Sequence, residues 1–271
     1  MIESTGTTAF ADGKMLASKQ DGIGFVTFNQ PQKRNAMSIE MWAGLGDILA
    51  EFEADSAIGV VVLSGAGDKA FVSGADISQF EKSRNNADGQ KEYDRITGIG
   101  RKKFHDFPKP IIAKIRGFCM GGGLAIAMAT DLRIATPDSQ FGIPAARLSI
   151  AYAADSIKKL IDLVGPAHAR MILYTARRID GKEAERIGLI NKCVAIDDLD
   201  STVMEIARNI AENAPLSVKA SKLTIDELMK DESRRNMAAI KQIGEDCFNS
   251  ADYKEGRTAF MEKRPPKFIG R

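Results

Sequence analysis

The sequence predicts an α/β fold in which strand, strand and helix recur in turn, followed by an all-helical C-terminal region. Between residues 14 and 198, short apolar or alternating runs of strand length separate segments whose apolar residues recur at helical spacing. After residue 199 only helical spacing remains. We therefore predict a disordered tail over residues 1–13, a core over residues 14–198 and a helical region over residues 199–271.

The composition is that of an ordinary globular protein and argues against several functional classes. Hydrophobic residues make up 44% of the 271 residues and charged residues 27%, which argues against disorder. A net charge of +2 gives no reason to expect nucleic acid or an anionic membrane as a partner. No apolar run approaches the roughly 20 residues of a membrane-spanning helix. The first residues lack the basic start and apolar core of a secretion signal.

The predicted elements begin with a hairpin and a capped helix. Met15–Gln20 and Gly24–Phe28 alternate as strands do, and Asp21-Gly22 between them is typical of a hairpin turn. Ser38 is predicted to cap a helix that runs to about Ala54. The apolar residues of this helix recur at helical spacing; they are Met41, Leu45, Ile48, Leu49 and Phe52.

Buried strands and interrupted helices fill the rest of the predicted core. Gly59–Ser64 is a continuous apolar run, typical of a strand that is buried on both faces. The further strands are predicted at Ala70–Ser73, Ile111–Ile115, Leu132–Ala135 and Ile190–Ala195. Helices are predicted at about Lys91–Phe107, Leu124–Thr130, Asp155–Val164, Ala167–Tyr174 and Lys182–Ile187. The C-terminal region adds helices at Thr202–Glu212, Ser217–Met229, Arg234–Cys247 and Lys254–Lys263.

A glycine turn before a helix is the strongest local signal of a site. We interpret Pro110–Ile115 as a buried strand and Gly117–Gly123 as a tight turn that leads into the helix from Leu124. The first N–H groups of a helix have no intrahelical partner, so they can face a developing negative charge. The alternative is that the glycines let the helix pack tightly against the sheet. The spacing fits neither a dinucleotide-binding nor a P-loop motif.

Three cysteines bear on the cellular compartment. Cys119, Cys193 and Cys247 are widely spaced and form no CxxC motif. This spacing predicts reduced thiols and argues against a disulfide or a zinc site. We therefore expect a cytoplasmic protein that carries no metal.

Several motifs together resemble the crotonase, or enoyl-CoA hydratase/isomerase, superfamily. They are NQPQKRNAMS at 29–38, VVLSGAGDKAFVSGADI at 61–77, KPIIAKIRGFCMGGGLAIAMATDLRIA at 109–135, FGIPAARLSI at 141–150, TARRIDGKEAERIGLINKCV at 175–194 and GRTAFMEKRPPKF at 256–268. The resemblance implies a spiral core of strand–strand–helix units and an acyl-CoA substrate whose coenzyme A is part of the substrate, with no other cofactor. It also implies a homotrimer or a hexamer assembled through the C-terminal helices.

The resemblance also implies roles for particular residues. The backbone N–H groups of Ala75 and Gly122 match the pair that holds the thioester oxygen in crotonases. Lys33 and the segment Arg34–Ala36 match the segment that cradles CoA, and Asp76 and Ile77 follow Ala75 in the same loop. Phe260 and Lys263 match a pair on the terminal helix that completes the nucleotide pocket, often from a neighbouring subunit. Asp76 can equally cap a short helix at Ile77–Phe80, and Lys33 and Arg34 can be solvated loop residues.

Two departures from the family pattern leave the reaction open. Hydratases of this superfamily carry glutamates that activate water and deliver a proton, and these positions are Ala125 and Ala145 in this chain. Tyr152 matches a tyrosine of methylmalonyl-CoA-decarboxylase-like members, and Asp155 lies near the same turn. An aromatic helix cap and a charge favoured by the helix dipole are the alternatives for these two residues.

Three functions are consistent with this pattern. The chain is predicted to be a lyase of the enoyl-CoA hydratase family that stabilises an enolate, nominally a 2-enoyl-CoA hydratase. The alternatives are a decarboxylase similar to methylmalonyl-CoA decarboxylase, which forms an enolate with less demand for a strong base, and a non-catalytic protein that binds acyl-CoA.

Overall fold

A computed structural model of the chain describes residues 5–76 and 87–271. Two sheets form its core. The strands are β1 (Thr5–Phe10), β2 (Met15–Gln20), β3 (Ile23–Phe28), β4 (Val60–Gly65), β5 (Ala70–Val72), β6 (Ile111–Ile115), β7 (Phe118–Met120), β8 (Leu132–Ala135), β9 (Gln140–Gly142), β10 (Ile179–Asp180) and β11 (Lys192–Cys193). The larger sheet has the strand order β1-β2-β3-β4-β6-β8-β11 and the smaller β10-β9-β7-β5.

Helices surround the sheets and continue into the C-terminal region. They are α1 (Ile39–Ala54), α2 (Ala87–His105), α3 (Gly122–Met128), α4 (Ala154–Thr175), α5 (Gly181–Arg186), α6 (Leu199–Ala211), α7 (Pro215–Leu228), α8 (Met237–Asn249) and α9 (Ala251–Glu262). Short 3₁₀ turns lie at Pro31–Lys33, Pro144–Leu148, Ile196–Asp198 and Glu232–Arg234.

The recurring unit of two strands and a helix is confirmed. The pairs β4 and β5, β6 and β7, and β8 and β9 each give one strand to the larger sheet and the next to the smaller sheet. Along the described chain a helix follows each of these pairs, α2 after β5, α3 after β7 and α4 after β9. Because successive units add parallel strands, the chain winds as a spiral and brings the ends of β5 and β7 side by side.

Both faces of the larger sheet are buried, which explains the continuous apolar run in β4. Val61 and Leu63 belong to the main core with α1, whereas Val60 and Val62 face the opposite way. That second face is covered by α6, through residues Leu199, Val203 and Ala207. The predicted boundary at residue 199 therefore follows the last strand, but α6 beyond it still packs on the core sheet.

Two predictions were wrong in part. The predicted tail over residues 1–13 contains β1, which pairs antiparallel with β2 through a four-residue turn in which Ala11, Asp12 and Gly13 have positive φ angles. Its Thr-rich sequence alternates poorly but gains backbone pairing from its neighbour. The predicted turn Gly117–Gly123 contains β7, because Phe118–Met120 pairs with both β5 and β9. A strand of three residues between glycines is too short to have a periodic signature.

Other predicted boundaries are confirmed by specific contacts. The Ser38 side chain accepts a hydrogen bond from the Met41 amide at 3.3 Å and so caps α1. Asp21 and Gly22 both have positive φ angles of 51° and 77°, as a tight hairpin turn requires. Gly165 interrupts α4 with φ 72° and ψ 166°, at the break predicted between two helices.

Candidate functional site

The glycine turn at the start of α3 contains three glycines with different environments. Gly121 has φ 50° and ψ −113°, the mirror image of an extended conformation that glycine alone adopts readily. Gly122 is the first residue of α3, so its N–H lacks an intrahelical acceptor. Gly123 faces β5, where an added Cβ would lie 1.9 Å from the carbonyl oxygen of Val72. Tight packing therefore explains Gly123, while Gly122 remains open on the site side.

The loop after β5 brings Ala75 next to Gly122. Met37 donates to the Gly74 carbonyl at 2.8 Å and accepts from the Asp76 amide at 2.9 Å. In such a parallel bridge the intervening Ala75 directs its own N–H away from Met37. A Cβ added at Gly122 would lie 3.5 Å from the Ala75 nitrogen. Within residues 5–76 and 87–271, neither the Ala75 nor the Gly122 N–H donates a hydrogen bond.

The predicted CoA segment lies against the same loop. The Lys33 ammonium contacts the buried Asp76 carboxylate at 2.7 Å. The Arg34 carbonyl accepts from the Ser73 amide at 3.1 Å, and Ala36 is buried. The structure therefore brings Lys33, Arg34, Ala36 and Asp76 together beside Ala75. Ile77 and the helix predicted at Ile77–Phe80 lie outside the described residues.

Arg34 makes an aromatic contact that the sequence did not predict. Its guanidinium lies over the Phe118 ring, 5.1 Å from the centroid, and that of Arg178 lies 5.2 Å from the same centroid. Such stacking leaves the N–H edges of a guanidinium available to an anion. The sequence contained one signal for this contact, an aromatic residue in the strand that precedes the glycines. The contact itself was not predictable, because the two arginines come from distant segments of the chain.

Tyr152 is held at the glycine turn. Its hydroxyl donates to the Gly121 carbonyl at 3.0 Å. Burial, and then the nearby Cys119, raise the pKa of Tyr152 above its ordinary value, while a hydrogen bond with Ser156 lowers it. The phenol is therefore protonated at neutral pH and acts as a hydrogen-bond donor.

Asp155 differs from Tyr152 in its surroundings. It is exposed in the first turn of α4. Among the residues that the structure describes, no hydrogen bond or ion pair joins Asp155 to the glycine turn. Its position agrees with the alternative of an acidic residue favoured at a helix N-terminus.

Ala125 and Ala145 both lie near Gly121. The Ala125 amide donates to the Gly121 carbonyl at 3.0 Å, and Ala125 is partly exposed. Ala145 belongs to the 3₁₀ turn that begins at Pro144, whose Cδ would lie 3.8 Å from a Cβ added at Gly121. The two methyl groups supply no proton-transfer function, whereas Tyr152 is a titratable side chain with a hydrogen bond to the turn.

Phe260 and Lys263 lie at the end of α9, apart from this group. Phe260 is 82% exposed, and Lys263 ends the helix with φ 54°. In the described part of the chain, no hydrogen bond or ion pair joins either residue to the loop of Lys33 and Asp76. A single chain therefore does not bring these two predicted residues to the site.

The described residues contain neither a candidate metal site nor a candidate membrane helix. No group of three or more His, Cys, Asp or Glu side chains within residues 5–76 and 87–271 is arranged to hold a metal ion. No helix in the same ranges is long and apolar enough to cross a membrane. Cys119, Cys193 and Cys247 are free thiols.

Comparison with known proteins extends over nearly the whole chain. The family model described as enoyl-CoA hydratase/isomerase matches residues 18–271. The short-chain-enoyl-CoA hydratase of Clostridium acetobutylicum is 38% identical, over 92% of this chain and 95% of its own. The crotonyl-CoA hydratase of Syntrophomonas wolfei is 35% identical, over 95% and 98%. An enoyl-CoA hydratase/carnithine racemase structure from Magnetospirillum magneticum has a TM-score of 0.90 at 35% identity, over 95% of this chain and 96% of that chain.

Proposed function

Because the chain belongs to the enoyl-CoA hydratase/isomerase family, we propose that it binds an acyl-CoA thioester and stabilises its enolate with two backbone N–H groups. The observation that carries this proposal is the pair of adjacent N–H groups at Ala75 and Gly122, which donate no hydrogen bond within residues 5–76 and 87–271. Donors held in place before the charge develops need no reorganisation, and losing one typically costs about 3–4 kcal/mol of transition-state stabilisation.

The CoA portion of the substrate is assigned to the loop beside these donors. Lys33 and Arg34 supply positive charge for the phosphates, and Ala36 and Asp76 shape the backbone of the pocket. Phe260 and Lys263 complete the nucleotide pocket from a neighbouring subunit in this proposal. Coenzyme A enters as part of the substrate, and the chemistry requires no other cofactor.

The nominal reaction is hydration of a 2-enoyl-CoA, with an enolate as the intermediate. Addition of water forms a bond between the water oxygen and the β-carbon and moves the alkene electrons to the thioester oxygen. The water gives up one proton, and the α-carbon gains one as the enolate returns to the thioester. Ala125 and Ala145 cannot move these protons, which predicts slow hydration. The protonated hydroxyl of Tyr152 donates a hydrogen bond to the Gly121 carbonyl, so Tyr152 is poorly placed to act as a base.

Loss of CO₂ is the second candidate reaction, and the same alanines favour it. Cleavage of the bond between the α-carbon and a carboxylate leaves its electron pair on the thioester as an enolate, releases CO₂ and then takes a proton from water. This reaction uses the donor pair but needs no base to start it. A malonyl-type thioester is the substrate class that it requires.

A turnover assay on purified protein tests these functions. Mass spectrometry would follow crotonyl-CoA, a 3-enoyl-CoA, methylmalonyl-CoA and ethylmalonyl-CoA. We expect slow hydration of crotonyl-CoA by the native chain and at least about tenfold faster hydration by the Ala125→Glu/Ala145→Glu variant, since general acid–base catalysis typically contributes about 10²–10⁴-fold.

The matched control is Ala146→Glu, which adds a carboxylate at an exposed neighbour of Ala145. Equal rates for the control and the double variant would refute the role assigned to the two positions. CO₂ release without hydration would establish the second candidate. Binding of CoA thioesters without any turnover would instead identify a non-catalytic acyl-CoA-binding protein.

The proposal includes a homotrimer, or a hexamer of two trimers. It is supported by large apolar side chains that the C-terminal helices leave exposed, namely Ile225, Leu228, Phe248, Phe260 and Met261. Sedimentation equilibrium should give three or six times the chain mass of 29.4 kDa; a stable monomer would refute the assembly. The free cysteines further support a cytoplasmic location, which subcellular fractionation would test.

A further inference from the structure

The peptide bond between Gly121 and Gly122 has two functional ends. Its N–H belongs to Gly122 and is one of the two donors assigned to the thioester oxygen. Its carbonyl belongs to Gly121 and accepts hydrogen bonds from the Tyr152 hydroxyl at 3.0 Å and from the Ala125 amide at 3.0 Å. Tyr152 therefore contacts the same rigid peptide plane that presents the donor.

A hydrogen bond to the carbonyl end changes the N–H end. Withdrawing electron density at the oxygen makes the amide N–H more positive, and linked hydrogen bonds strengthen one another. The bond also restricts rotation of the plane, which matters because Gly121 has no Cβ and lies at φ 50° and ψ −113°. The partly buried phenol keeps its proton at neutral pH, so its hydroxyl remains a hydrogen-bond donor to this carbonyl.

We propose that Tyr152 is a positioning residue that orients and polarises the Gly121–Gly122 peptide as an enolate-stabilising donor. This inference rests on the proposed function, because it assumes that the Gly122 N–H binds the thioester oxygen. It assigns Tyr152 an indirect role in place of direct proton transfer to the substrate.

Acetoacetyl-CoA provides a readout that does not need turnover. Its enolate absorbs in the near ultraviolet, so a pH titration of the bound ligand measures how strongly the site favours the enolate over the neutral form. In Tyr152→Phe we expect the apparent ionisation constant of the bound ligand to fall by about threefold to tenfold, the effect of one neutral hydrogen bond. The Kd of CoA itself should stay within about twofold, because the nucleotide contacts lie in another loop.

Two further proteins make this test specific. Tyr174→Phe removes an exposed hydroxyl near the C-terminal end of α4, the helix that begins two residues after Tyr152, and should leave the titration unchanged. Incorporation of 3-fluorotyrosine at position 152 supplies a more acidic and therefore stronger donor, and should increase the enolate fraction above that of the native protein. A purely structural tyrosine would not make the enolate fraction follow donor strength.

The outcomes separate this inference from the proposed function. If the native protein enriches the enolate and Tyr152→Phe enriches it to the same extent, the positioning role is overturned and the donor pair is left intact. A native protein that binds acetoacetyl-CoA without enriching its enolate would overturn the donor pair, and the positioning role with it. If Tyr152→Phe proves unstable, an enolate fraction that ignores fluorination would still refute the inference.

Discussion

Replacing Gly122 by proline is expected to lower turnover by at least about a hundredfold while the protein still folds and binds CoA. Proline removes the N–H that is proposed to face the thioester oxygen, and loss of one such donor typically costs about 10²–10³ in rate. The first position of a helix tolerates proline because its N–H has no intrahelical role. The measurements are turnover of the best thioester in the panel, thermal unfolding and CoA titration.

Met237→Pro is the matched control, because Met237 is also the first residue of a helix and is exposed. It should leave the rate per folded enzyme unchanged. Native-like turnover by Gly122→Pro would show that this N–H is not part of the chemistry. Loss of both folding and CoA binding would show instead that the glycine is needed for structure.

Gly123→Ala, unlike Gly122→Pro, should destabilise the fold. The new Cβ would lie 1.9 Å from the Val72 oxygen and 2.7 Å from its carbonyl carbon, and both are backbone atoms that cannot rotate away. Strand β5 and helix α3 must separate, at a cost of about 2–3 kcal/mol or more. For a chain of this size, this corresponds to a decrease in Tm of roughly 5–10 °C.

Circular dichroism during heating would measure this change. The control is Gly244→Ala in α8, where an added Cβ meets no atom within 4 Å. Because alanine is favoured over glycine inside a helix, the Tm of that control should stay the same or rise slightly. If Gly123→Ala matched the control, the close packing of α3 on β5 would be refuted. Because β5 leads into the Ala75 loop, we also expect the destabilised variant to lose activity.

The sequence predicted the elements whose signals are local. The cap of α1, the hairpin between β2 and β3 and the break at Gly165 each depend on residues within one or two turns of one another. The strands β7 and β9 were missed because their backbone groups are satisfied by distant partners, as in the pairing of Phe118 with both Ala70 and Gln140. Few of their residues alternate, so no period was present to detect. Strand β1 pairs with the adjacent β2 and was missed because its own sequence alternates poorly.

The candidate site likewise has parts that the sequence predicted and parts that it could not predict. Motif resemblance placed Lys33, Arg34, Ala75 and Gly122 in one pocket, and the described contacts bring their segments together. The partner of Tyr152 could not be predicted, because Gly121 precedes it by 31 residues and meets it only after the spiral has closed. Phe260 and Lys263 stay apart from the site in one chain, so their predicted role depends on a neighbouring subunit.

By itself, the sequence determined the family and the α/β class, since side-chain identity and short motifs are written in the order of residues. Tertiary structure decided which glycine packs and which one presents a donor. It also decided that the Tyr152 hydroxyl donates its hydrogen bond to the carbonyl of Gly121. These outcomes depend on distances between atoms far apart along the chain, and such distances exist only after the two sheets have assembled.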